Sequence, residues 1–220
     1  MLIADLTKIP TLEALENSQV VSMDYAIDLP YSYSYLIENV IDVAHIHIAH
    51  NGVRGGGKRE YAKPLNFKII ESSIEGIIAQ YSSMGLENTK LKAASIKFIA
   101  PNLILYESNY QNSHLISGLA LYAVPLSEEK CRLLYRKYSN FWSWKETCKP
   151  RWLEHWNQNK ILEQDMNIIV GQHAEIERSG RSLQQLWLPI KTCDLLVLEY
   201  RKKNINCNLD RFNSLSYLSQ

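Results

Sequence analysis

Paired metal-ligating cysteines are missing from this chain. Its four cysteines, Cys131, Cys148, Cys193 and Cys207, form no C-x-x-C or C-x-H pair. With no secretory signal at the N-terminus, a disulfide framework is not expected, and the four read as reduced thiols used in packing. No apolar run approaches the roughly 20 residues needed to cross a bilayer. The expectation is a cytoplasmic chain, peripheral to a membrane at most. Excess charge is missing too: 24 Lys and Arg against 23 Asp and Glu leave a net charge of +1. That argues against a polyanion-binding surface and against nucleic acid as a partner, and the basic run Arg201–Lys203 reads as a solvated face. Internal repeats, low-complexity tracts and flexible linkers are absent as well. What is present is an ordinary globular balance over 220 residues, 46% hydrophobic and 21% charged, enough for a sizeable core.

The hydrophobic period changes twice along the chain. Residues 20–30, "VVSMDYAIDLP", read as a strand ending at Pro30. Leu36, Val40, Ile41, Ala44 and Ile48 then recur at helical spacing, which predicts a helix from about 34 to 50, stopped by the loop "NGVRGGGK". From about 66 to 138 the segments "LNFKIIESS", "GIIAQYSSMG", "ASIKFIAPN", "LILYESNYQ", "LISGLALYAVPL" and "CRLLYRKYSNF" are short, β-branched or aromatic, and separated by turn residues. They predict an antiparallel meander. The last third returns to helix: positions 162, 166, 169, 173 and 176 form a stripe, Gly180 is a stop signal, and a shorter helix begins near 192. Strands in meander order flanked by helices define an α+β class.

Chemistry is concentrated in "ENVIDVAHIHIAHNG", residues 38–52. On a continuous helix Glu38, Asp42 and His45 share a face, His47 is out of phase, and His50 lies about 140° round from His45. A loosened last turn is needed to bring His45 and His50 together, and the glycine-rich loop after His50 suits one. A third ligand is sought elsewhere. Asp165 stands on the apolar stripe, i+3 from Leu162 and i−4 from Ile169, while Glu163 and Gln164 point to the flanks. A carboxylate facing a core is costly unless paired, hydrogen-bonded or metal-bound. Two histidines and a carboxylate suit a non-haem Fe(II) that activates oxygen. Zinc would fit the same atoms, and a buried salt bridge or cap is the competing reading of Asp165. His173 reads as core; His114 and His155 read as surface.

The pattern D-x2-H-x4-H in "DVAHIHIAH", preceded by "EN", resembles the mononuclear-iron motif of Rieske-type non-haem iron oxygenases. Together with "GGGKREYAKPL", "ALYAVPLSEEKCRLLYR", "EQDMNIIVGQ" and "SGRSLQQLWLPIKTCDLLVLEYRK", it is similar to the branch containing pheophorbide a oxygenase and chlorophyllide a oxygenase, over roughly residues 10–203. The resemblance implies a helix-grip (START/Bet v1-like) fold, an antiparallel sheet wrapped around a long C-terminal helix. It implies that His45, His50 and Asp165 ligate a mononuclear Fe(II), that Asp42 bridges electron transfer or orders a ligand, and that Asn39 sits beside the site. On this reading residues 1–18 are a connector from a missing or separate Rieske domain, 19–205 the oxygenase catalytic domain, and 206–220 a tail.

The family's C-x-H…C-x2-H cluster motif does not occur in these 220 residues. A [2Fe–2S] centre needs two Cys and two His, so the resemblance implies that it is held by a separate Rieske ferredoxin-like partner served by a reductase. The other expected partners are O2, an apolar ring substrate (a chlorophyll-type tetrapyrrole being the one the branch suggests) and the family's homotrimer. Tyr106, Tyr110 and Tyr122 are candidate walls for the substrate. The alternatives are a non-catalytic helix-grip module that binds a hydrophobic ligand, the remnant of a truncated oxygenase gene, and, with least support, a zinc hydrolase.

Overall fold

A computed structural model describes residues 12–53, 58–62, 64–83, 91–110, 114–141, 148–181, 183–186 and 193–203. After a one-turn helix α1 (Glu13–Glu16), strand β1 (Val21–Leu29) leads into helix α2 (Tyr33–Ile41), a 3-10 turn (Val43–His45) and a short helix α3 (Ile46–Ala49). Six strands follow: β2 (Leu65–Ser73), β3 (Gly76–Ser83), β4 (Leu91–Ile99), β5 (Leu103–Tyr110), β6 (Ser117–Ser127) and β7 (Lys130–Ser139). Helix α4 (Arg151–Ser179) is 29 residues long, α5 is Leu183–Leu186, and residues 195–203 form α6. All seven expected strands are present. The connector's first eleven residues, the tail from 206 and residues 54–57 of the glycine-rich loop lie outside the described residues.

The strands form one antiparallel sheet in the order β1-β7-β6-β5-β4-β3-β2. β2 to β7 are a plain meander, and β1 closes onto β7 with Tyr25 opposite Tyr135 and Leu29 opposite Cys131. This topology has a consequence for the connection between β1 and β2. The two strands are opposite edges, so the chain between them must traverse about 29 Å of sheet, six inter-strand spacings. Helix α2 makes that crossing, packing on β5, β6 and β7. Leu36, Ile37 and Ile41 are buried beneath it. The histidine-rich segment is thereby held over one face of the sheet.

Side chains alternate in each strand, so one face carries Tyr25, Leu29, Ile77, Ala79, Ile96, Ile104, Leu121, Ala123 and Leu133 into a single core with α2 and with Leu162 and Ile169 of α4. Among the described residues the opposite face holds a small cluster of Leu103, Leu105 and Ala120 with Leu12, Ile99 and Tyr122. That parity takes Tyr122 away from the main cavity. Elsewhere on the outer face, Arg132 and Arg136 of β7 make two-pronged bonds to Asp28 and Asp24 of β1. Those pairs are solvent-exposed and contribute little stability.

Two expectations are corrected here. Arg201 and Lys203 are not a solvated face: Arg201 makes a two-pronged bond to Glu38, and Lys203 donates to the carbonyls of Ser73 and Gly76. With Leu196, Val197 and Tyr200 buried, α6 clamps α2 to the β2–β3 end of the sheet. The apolar stripe of α4 holds at Leu162 and Ile169 but not at His173. His173 is 42% exposed, close to Glu177 and edge-on to Tyr35, because the helix runs past the core before Gly180 ends it with φ +61°.

Candidate metal centre

The expected helix over 34–50 is broken, and the break builds the site. The 3.6-residue apolar period runs through without interruption, but Asp42 leaves the helical region at ψ +88° and its Oδ1 accepts the Ala44 N–H at 3.0 Å. A short acidic side chain competing for a backbone donor is the reason aspartate is poor inside helices and good at their starts. The carbonyls released at the break find other partners. Tyr106 Oη donates to the Val40 carbonyl, and His45 Nδ1 bonds the Asp42 carbonyl. The restart as a 3-10 turn and then α3 re-phases the histidines, so that the His45 and His50 rings lie 5.2 Å apart, edge to face.

Asp165 comes to them from α4, 4% exposed between Leu162 and Ile169. Its Oδ1 is 3.1 Å from His50 Nε2 and 3.6 Å from His45 Nε2, and one ligand atom from each residue falls within a common 4.8 Å. Metal–N and metal–O bonds of about 2.1 Å put neighbouring ligand atoms roughly 3 Å apart. Among the described residues no other group of His, Cys, Asp and Glu converges this way. His47 does not join it: its Nδ1 is buried without a hydrogen-bond partner. Glu38, sequence neighbour of the site, is spent on Arg201.

Two further features fit the group to a cation. First, both histidines have Nδ1 occupied on the protein side, His45 by the Asp42 carbonyl and His50 by Gln164 Oε1 at 3.0 Å. An acceptor at Nδ1 places the proton there and leaves Nε2 with a lone pair, the arrangement of ligating imidazoles. Both Nε2 atoms face Asp165. Second, Asp165 Oδ1 is buried and accepts no hydrogen bond, although His50 is near enough. An orphaned buried carboxylate oxygen costs several kcal/mol unless something charged meets it. Burial disfavours the His50 cation, yet Asp165 and Gln164 outweigh it, and the His50 pKa lies above the ordinary histidine value.

Asp42 is partly buried beside His45, with its Oδ2 3.7 Å from His45 Nδ1. Burial pushes its carboxyl above the usual range, His45 and the Ala44 N–H pull it down, and Asp194 adds to the rise. Asn39, with His45, lines both the main cavity and a smaller one of about 190 Å3 that reaches Asp42, Asp194 and Arg201. The main cavity is about 480 Å3, between α4 and the sheet, and includes all three members of the group. Tyr106 lines it; Tyr110 and Tyr122 do not, Tyr110 lying in a neighbouring cleft where it bonds Ser117 at 2.8 Å.

Sequence reasoning missed two residues here. Gln164 reaches His50 rather than pointing to the flank, a signal that was available in its position directly before Asp165. Tyr31 is 4% exposed with an unpartnered hydroxyl, and its pKa is raised by burial and by Asp165. Nothing in the sequence distinguishes it from the other tyrosines around it.

Solved structures share this architecture. NdmA of Pseudomonas putida CBB5 in a complex with theobromine superposes with a TM-score of 0.67 at 15% identity, covering 89% of this chain and 52% of that one. Dicamba monooxygenase bound to dicamba gives 0.63 at 14%, covering 94% and 64%. The fold is that of the catalytic domain of Rieske-type oxygenases. Within that class, residues 98–182 match the family model described as pheophorbide a oxygenase. Protein TIC 55, chloroplastic, of Pisum sativum is 30% identical over 203 residues, 90% of this chain and 36% of that protein. Pheophorbide a oxygenase, chloroplastic, of Oryza sativa subsp. japonica is 31% identical over 220 residues, 90% of this chain and 40% of that protein. Over the matched stretches the chain is similar to the pheophorbide a oxygenase-like proteins, and it spans well under half the length of these curated relatives.

Proposed function

We propose that residues 19–205 are the catalytic unit of a Rieske-type oxygenase, with His45, His50 and Asp165 holding a mononuclear Fe(II). The observation that carries this reading is the buried, unsatisfied Oδ1 of Asp165 facing two imidazoles whose Nδ1 atoms are already engaged. Two histidines and one carboxylate leave coordination positions open, which is the donor set of oxygen-activating non-haem iron, and the metal when bound supplies the oxygen chemistry. The protein's own part is to orient and to exclude water. Asp42 and Gln164 hold the Nδ1 atoms of His45 and His50 and so keep both imidazoles aimed. Apolar walls from β3, β5, β6, β7 and α4 leave room for a ring substrate against the metal-ligating atoms. The cavity between a long helix and one face of the sheet supports the helix-grip description.

In this proposal electrons come from a Rieske [2Fe–2S] centre carried outside these 220 residues and reduced in turn by a reductase, and Asp42 is the bridging acid next to His45. A chlorophyll-type tetrapyrrole as substrate and a homotrimer as assembly rest on the relatives alone. Anaerobic loading with Fe(II), followed by the EPR spectrum of the nitric oxide adduct, tests the centre. An S = 3/2 signal that is lost in Asp165→Ala supports it. A folded protein that takes up no iron returns the chain to a ligand-binding module without turnover.

A further inference from the structure

The break at Asp42 opens one particular backbone hydrogen bond, and two side chains hold its two ends. In a continuous α-helix the Ala44 N–H would donate to the Val40 carbonyl, four residues back. Here the donor end is taken by Asp42 Oδ1 at 3.0 Å, and the acceptor end by the hydroxyl of Tyr106. Tyr106 stands on β5, one of the strands that α2 packs against, and lines the main cavity together with Asn39, Val40 and His45. Burial raises its pKa well above the ordinary tyrosine value, and Tyr81 and Asp42 add to the rise, so the hydroxyl stays protonated and donates.

A buried hydroxyl needs some acceptor, and that need alone accounts for a tyrosine bonded to a carbonyl. It does not account for the choice of carbonyl. Val40 carries the acceptor whose helical partner Asp42 has removed. Without the Tyr106 hydroxyl that carbonyl would be left unpaired, which is costly away from water, and the nearest remedy is to recover the Ala44 N–H. Recovering it closes the helix. A closed helix carries His50 about 140° round from His45 and takes the two imidazoles off their common approach to Asp165. The open one holds their rings 5.2 Å apart.

We propose that Tyr106 is a positioning residue for the metal centre: by holding the Val40 carbonyl it keeps the helix open at Asp42, and so keeps His45 and His50 convergent on Asp165. The inference rests on those three residues being the ligands of the proposed oxygenase. Tyr106 is not in the converging group and acts on it only through the backbone of α2. It therefore has a second task besides walling the cavity.

The test uses the whole chain and Tyr106→Phe, which keeps the ring and removes the hydroxyl. Backbone carbon chemical shifts of the metal-free proteins report the conformation at Asp42. Wild type should place Asp42 outside the helical range, as its ψ of +88° requires, and Tyr106→Phe should move it toward helix. Anaerobic Fe(II) affinity, read by competition with a chelator, should fall about 10- to 100-fold in Tyr106→Phe. Tyr110→Phe, on the same strand but outside the main cavity, should change neither quantity. Because Asp42 and Tyr106 hold the two ends of one bond, the double variant Asp42→Ala, Tyr106→Phe should bind Fe(II) no more weakly than the weaker single variant. Asp42 shifts unmoved by Tyr106→Phe, undiminished Fe(II) affinity in that variant, or losses that add in the double variant would overturn the inference. A wild type that takes up no Fe(II) would overturn the proposed function instead, and the metal-free shifts would still decide whether Tyr106 holds the helix open.

Discussion

Glu154 and Asp165 are buried carboxylates on one face of one helix, and they are solved differently. Glu154 has a lysine and a glutamine supplied from within the chain. Asp165 has two histidines, each with Nδ1 engaged elsewhere and Nε2 turned toward it, and one oxygen with no hydrogen bond at all. The first arrangement is complete as folded. The second is complete only when a cation arrives. Burial alone does not separate structure from function; what separates them is whether the protein finishes its own electrostatics.

Substitution should pull the two apart most sharply. Asp165→Ala is expected to abolish Fe(II) binding while the fold survives, as judged by metal content after desalting and by circular dichroism. Glu154→Ala is expected to keep the metal and instead lose stability, by about 3 kcal/mol in urea unfolding, since it strands a buried lysine. If the two variants behave alike, the contrast is wrong.

Next in size is Gln164→Leu. It removes the acceptor that fixes the His50 tautomer, and loss of such a partner weakens metal affinity about 10- to 100-fold, measurable by competition with a chelator. His47→Ala, by contrast, should leave affinity unchanged, because His47 is not in the converging group.

Proton dependence gives a smaller but signed effect. The folded-state pKa of His50 is raised above the ordinary histidine value by Asp165 and Gln164, against the opposing effect of burial. In the metal-free protein its charged form therefore adds stability that is fully present below the unfolded pKa and lost as pH rises through the folded one. Metal binding needs the neutral ring, so Fe(II) affinity should move the other way, falling as pH drops through that raised pKa. Thermal unfolding with and without metal across pH should show opposed slopes; parallel slopes would mean that His50 is not a ligand.

Much of this contrast was legible before any fold was known, though not evenly. Strands showed because each is a short β-branched run closed by turn residues. Asp165 showed because an acid on an apolar stripe is conspicuous. The break at Asp42 did not show, because the apolar period continues across it and the deciding event is one side chain taking one backbone N–H. Glu154 did not show either: its partners are a lysine outside the helix and a glutamine one turn on, a pattern common on solvated helix starts. Arg201 and Lys203 read as surface because their acceptors, Glu38 and two carbonyls of the β2–β3 hairpin, are more than a hundred residues away.

The most direct measurement is unfolding of wild type and Asp165→Asn across pH, each with and without anaerobic Fe(II). The account predicts that Fe(II) raises the Tm of wild type and leaves Asp165→Asn unmoved, and that without metal the variant is at least as stable as wild type. A metal-free Asp165→Asn that is clearly less stable, together with no metal-induced shift in wild type, would contradict it and make Asp165 a structural acid like Glu154.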